Sequence, residues 1–155
     1  MSTQPWPMAA LLPHVGRAIL LDELVDWDKA GLTATVTIRP GLPFHTDRGV
    51  PAHIGIEYMA QACGAFSGAE ALQANTAPRI GFILGTRRYT AEQPWFATGT
   101  KLRIAVKLVF RDTELGMFDC RISAGAALLA SAQLVLAQPQ DARALLAKQA
   151  GERDG

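Results

Sequence analysis

Glu57 is the only formally charged residue between Arg48 and Glu70, and its neighbours are Ile54, Gly55, Ile56, Tyr58 and Met59. A carboxylate in apolar surroundings costs desolvation energy, so it is either paired or kept protonated. A carboxyl group still protonated near neutral pH is a general acid. The competing reading is structural: a first-turn glutamate favoured by the helix dipole. Three histidines are available as a base: His14, His45 and His53. His45 stands in the loop Pro43-Phe44-His45-Thr46, and loops beside a rigid element commonly present catalytic groups. His53 lies four residues before Glu57, which on a helix puts both on one face. That spacing suits a pair in which His53 orients Glu57, or His53 as the base itself. His14 follows Pro13 and reads as structural.

The remaining reactive side chains are less pointed. Arg79, Arg87 and Arg88 flank or lie in a strand-like stretch, where one could meet a phosphate or an acidic partner; solvated arginines are the alternative. Arg87 and Arg88 would face opposite sides of a strand. Cys63 and Cys120 form no CxxC and read as small core residues. There is no Walker-type loop, dinucleotide fingerprint or clustered metal-ligand pattern.

These groups sit in a chain of 155 residues, 49% hydrophobic and 19% charged, enough for one domain with a real core. Fifteen Lys and Arg against fourteen Asp and Glu give a net charge of +1, without the basic excess of a nucleic-acid binder. Pro5 and Pro7, with no positive n-region, argue against a secretory signal. The longest apolar stretches fall short of the ~18 residues of a membrane span. A cytoplasmic protein is the expectation.

Periodicity supplies the scaffold. A short turn is predicted at Ala9–Leu12, ended by Pro13. Arg17–Trp27 and Leu32–Ile38 read as strands, the second alternating Ala34, Val36 and Ile38 against Thr33, Thr35 and Thr37. Pro40–Val50 is a loop. Pro51 suits the first turn of a helix reaching about Leu72. That helix is apolar almost all round and rich in small residues, so burial is expected. Four more strands follow: Ile80–Tyr89, Lys101–Phe110, Gly116–Ser123 and Ala126–Ala137. In Lys101–Phe110 the residues Leu102, Ile104, Val106, Leu108 and Phe110 share one face. The expected fold is α+β, with an antiparallel sheet of five or six strands wrapped around one long central helix. Residues 1–138 form a single domain. Residues 139–155 are a polar tail with a short helix at Asp141–Lys148.

The chain resembles the hotdog-fold 3-hydroxyacyl-acyl-carrier-protein dehydratases. Leu11-Leu12-Pro13-His14, then Ile19-Leu20-Leu21-Asp22, resembles the family's opening. Pro51-Ala52 with Glu57-Tyr58-Met59-Ala60-Gln61-Ala62 resembles its central helix. Phe82-Ile83-Leu84-Gly85 and Gly99-Thr100-Lys101-Leu102 resemble its strand motifs. The variant Gly-Ile-Glu-Tyr-Met-Ala-Gln, with Gly-Thr-Arg-Arg-Tyr after Leu84, is most similar to a subgroup associated with aryl polyene biosynthesis. One departure stands out. Where the family has Gly-His-Phe-Pro-Gly, this chain has Phe44-His45-Thr46-Asp47-Arg48-Gly49.

The resemblance implies β-elimination of water from a 3-hydroxyacyl thioester, in fatty-acid or polyene-type synthesis. His45 would take the C2 proton and protonated Glu57 would protonate the departing hydroxyl. His45 is placed ahead of His53 as the base. His53, Gly55 and Gly85 would contact substrate, with N–H groups near Gly55 holding the thioester oxygen. The implied partners are an acyl carrier protein and a second hotdog subunit, identical or not, with neither nucleic acid nor membrane. No cofactor is implied beyond the phosphopantetheine arm that carries the substrate. The alternatives are a hotdog acyl thioesterase, or a weakly active subunit of a heteromeric dehydratase.

Overall fold

A helix of 19 residues, α2 (Gly55–Gln73), forms the axis of the domain. The structure is a computed structural model, and it describes residues 6–13, 16–76 and 82–137. Helix α2 stops where Asn75 turns into the left-handed region at φ 57°. The Thr76 N–H then donates to the Ala71 carbonyl and the Asn75 N–H to that of Leu72, which satisfies two of the helix's last carbonyls. The expected short turn is α1 (Met8–Leu11). Its backbone lies so close to α2 that a Cβ on Gly68 would run into the Leu11 carbonyl. The small residues of α2 are thus used for close approach.

Six antiparallel strands curl around α2 in the order β1 (Glu23–Trp27), β2 (Gly31–Thr37), β6 (Lys101–Arg111), β7 (Leu115–Ala124), β8 (Ala127–Ala137), β4 (Phe82–Ala91). Alternation puts Ala34, Val36, Leu102, Ile104, Phe118 and Ile122 inward, all 0% exposed. Tyr58, Met59, Cys63 and Phe66 meet them from α2. The α+β hotdog arrangement expected from the sequence is the one observed. No helix among the described residues is long and apolar enough to cross a membrane.

Four local expectations are corrected. Arg17–Trp27 is strand only from Glu23 onward; Gly16–Ala18 is a 3-10 turn. Gln61, buried on α2, donates to the Ala18 carbonyl and accepts the Leu20 N–H, taking groups a strand would have paired. Phe110 leaves the face of Leu102 and Ile104. The register shifts between Leu108 and Phe110, and one extra residue reverses the alternation, leaving Phe110 exposed. Pro51 does not start the helix. It belongs to β3 (Val50–Pro51), which pairs with β5 (Trp95–Phe96), a ribbon the sequence pattern did not reveal. A 3-10 turn, Ala52–Ile54, then leads into α2. Lastly, register shifts between Arg87 and Thr90 break the alternation that would put Arg87 and Arg88 on opposite faces. Arg88 has φ 55°, and both arginines are exposed. The predicted tail helix, His14 and Arg79 lie outside the described residues.

Burial also sets a pH limit. The Tyr58 hydroxyl is pushed up to about 12, chiefly by burial and secondarily by the Asp22 carboxylate. Burial likewise raises Tyr89 and Cys63. Each folded value exceeds the unfolded one, so the folded state holds these protons more tightly. Their stabilisation is complete below the unfolded values and is lost as pH rises through them. Urea unfolding should therefore show stability falling from about pH 9 to about pH 12, with a shallower fall in Tyr58→Phe. Equal slopes in the two proteins would refute the assignment.

Candidate functional site

The loop from Arg39 to Gly49 is built to present His45. The His45 N–H donates to the Leu42 carbonyl at 3.1 Å, and Thr46 and Gly49 exchange backbone hydrogen bonds of 2.7 and 3.0 Å. Gly49 is required there: its φ is 107°, and a Cβ would run into the Phe96 carbonyl. The β3–β5 ribbon, extended by a 2.9 Å bond from the Ala52 N–H to the Pro94 carbonyl, ties this loop to the start of α2. Phe44, just before His45, takes the left-handed backbone at φ 69° with its ring exposed. The half-buried His45 reaches Thr98, its Nε2 lying 2.8 Å from Oγ1. Sequence reasoning missed Thr98. It stands 53 residues from His45, and no local pattern links the two.

Glu57 occupies the first turn of α2. Its side chain is exposed, as is that of His53, while Ile56 and Ala60 are half-buried. The expectation of a helix covered on all sides therefore fails at its N-terminal end. Within one chain, Glu57 lacks the desolvated setting its neighbours suggested. No hydrogen bond or ion pair joins Glu57 to another described residue, and none links it to His53, so the orienting pair is not formed. Its place in the first turn is the one the structural reading expected, and neither helix start carries a side-chain cap.

Gly55 is explained differently from the expectation. Its N–H already donates to the Ala52 and His53 carbonyls. The Tyr89 hydroxyl, which donates to the Ala52 carbonyl, fills the space beside its Cα. Gly55 thus admits Tyr89 rather than a substrate oxygen. A methyl there would also meet Ile122 Cδ1 at 3.1 Å and Phe96 Cζ at 3.3 Å. Gly55→Ala should cost about 1–3 kcal/mol, as overpacking does. A chemical-denaturation midpoint equal to that of the parent would contradict this. Gly85 lies on β4 beside a register shift, and a Cβ there would meet open space.

Two motif residues prove structural. Asp22 accepts the Thr37 N–H at 2.9 Å and pairs with the Arg39 guanidinium through both oxygens. Gln61 clamps the Ala18–Leu20 backbone to α2. The Cys63 and Cys120 thiols lie 3.9 Å apart in the core as free cysteines. Among the described residues, no group of three or more His, Cys, Asp or Glu could hold a metal ion. A cavity of about 460 Å³ opens on the outer sheet face, lined by residues including Asp26, Lys107, Asp119 and Arg121. None of the candidate residues lines it, so its size does not make it the active site.

Comparison with known proteins bears on the fold and the family. A family described as ApeP-like, ApeP dehydratase, matches residues 6–147. A structure of the dehydratase heterocomplex ApeI:P from Xenorhabdus doucetiae superposes with a TM-score of 0.85 at 27% identity, covering 92% of this chain and 97% of that one. A hypothetical thioesterase from Streptococcus pneumoniae with coenzyme A has a TM-score of 0.60 at 10% identity, covering 76% of this chain and 88% of the other. The E. coli PaaI protein has a TM-score of 0.60 at 11%, covering 75% and 82%. These last two share the fold alone. No curated protein sequence matches.

Proposed function

The chain belongs to the ApeP-like dehydratase family, and from that premise we propose that its substrate is a 3-hydroxyacyl thioester on an acyl carrier protein. It is a hotdog-fold dehydratase, a lyase. In the proposed reaction the His45 imidazole removes the C2 proton, the C3–O bond breaks, and protonated Glu57 gives its proton to the departing hydroxyl. The products are an enoyl thioester and water. The reaction needs no metal or redox cofactor, and the phosphopantetheine arm comes with the substrate. The setting is the cytoplasm, and the pathway is polyene-type synthesis. His53 remains on the exposed helix start, where an incoming substrate could meet it.

The observation that carries this reading is the near-full-length match to a dehydratase heterocomplex. It also favours a second hotdog subunit as partner. Two features of the chain fit that arrangement. Edge strand β4 exposes Ile83 at 42% and Leu84 at 61%, and an apolar edge is a template for pairing. Glu57 stands open at the helix start; a partner covering it would supply the desolvation that keeps a carboxyl protonated. The test is incubation of the chain, alone and with its hotdog partner, with 3-hydroxyacyl carrier protein, followed by mass spectrometry. Loss of one water from the acyl chain is the expected result. Release of free carrier thiol would instead identify a thioesterase. Activity only in the mixture would identify a heteromeric enzyme.

A further inference from the structure

We propose that Thr98 is a positioning residue that sets the tautomer of His45, holding the ring proton on Nε2 and leaving the Nδ1 lone pair to take the substrate proton. This rests on His45 being the base. A neutral imidazole has one N–H donor and one acceptor nitrogen, and the hydrogen bond at one nitrogen decides the other. Here Nε2 is engaged, 2.8 Å from the Thr98 hydroxyl. Nδ1 has no hydrogen-bond partner among the described residues. If the hydroxyl donated to Nε2, the proton would sit on Nδ1 and no free lone pair would remain. With Nε2–H donating to its oxygen, the exposed Thr98 hydroxyl donates its own hydrogen bond to water, and Nδ1 is left as a base.

Both ends of this contact are anchored. Thr98 sits in a turn in which the Gly99 N–H donates to the Ile38 carbonyl at 2.7 Å, and the Ile38 N–H donates to that of Thr100 at 2.9 Å. On the other side, the left-handed Phe44 bends the chain immediately before His45. A bulky residue in that region is strained, and such strain persists where the surroundings over-determine it. In the reaction the C2 proton passes to Nδ1, its electron pair forms the C2–C3 double bond, and the C3–O bond breaks. The proton from Glu57 completes the water.

The experiment uses the active enzyme, with its hotdog partner if activity needs one, and compares Thr98→Val, Thr98→Ser and His45→Ala. Ring ¹⁵N shifts of His45 report the tautomer directly, and steady-state kinetics report its use. The parent and Thr98→Ser should show the Nε2-protonated form. Thr98→Val should mix the two forms and lower kcat roughly tenfold, part of the ~100-fold a positioned base can supply, with KM little changed. An Nδ1-protonated parent, or a Thr98→Val enzyme with the parental tautomer and kcat, would overturn the proposal alone. A fully active His45→Ala enzyme would overturn the base assignment and this proposal with it.

Discussion

Glu57→Gln is expected to lower dehydration turnover by at least ~100-fold, the lower range for a positioned general acid. Glutamine keeps the size of the side chain and its hydrogen-bonding reach but has no proton to give to a departing hydroxyl. Glu57 makes no hydrogen bond or ion pair with the described residues of its own chain. Its removal should therefore leave folding untouched, and the thermal midpoint should stay with that of the parent. Turnover of 3-hydroxyacyl carrier protein and a melting curve, both on the active assembly, check the two halves of the statement. Near-parental turnover in a folded Glu57→Gln enzyme would remove Glu57 from the mechanism. A low midpoint would instead assign it a structural role.

Phe66→Ala is expected to have the largest effect on stability, about 3–5 kcal/mol, against a total of roughly 5–15 kcal/mol for a domain. Phe66 is 0% exposed on α2. Its ring meets Phe118 edge-on at 5.6 Å and lies 6.5 Å from Trp27, centre to centre. The Arg111 guanidinium sits over it at 5.6 Å, held there by a bidentate pair with Glu70 at 2.7 and 2.8 Å. One truncation thus empties the contact between helix and sheet and removes the ring under a cation. Urea unfolding at constant m-value measures the loss. A change below about 1 kcal/mol would mean the neighbouring side chains collapse into the space.

The alternating pattern along the chain determined most of the architecture. Ala34, Val36 and Ile38, or Leu102, Ile104 and Val106, recur every second residue, and burying them forces strands. The largely apolar run around Tyr58 and Met59 has the length of a helix and nowhere to go but the sheet. Burial is a sum over many residues, so it survives local errors. The Glu-x-Met-Ala-Gln run marked the helix and singled out Glu57 in advance, because one carboxylate among apolar residues is visible without coordinates.

Other features depended on atoms far apart in sequence, which no period encodes. The extra residue, Val109, turned Phe110 outward. The side chain of Gln61 drew the backbone of Ala18 and Leu20 out of a strand. Gly55 looked open to a ligand until Tyr89, 34 residues later, was found against it. His45 acquired its partner only when the turn carrying Thr98 was folded against Ile38. The exposure of Glu57 is tertiary in the same sense. An apolar run says what must be buried, but which stripe of the helix its own sheet leaves uncovered is decided by how far the strands curl around it.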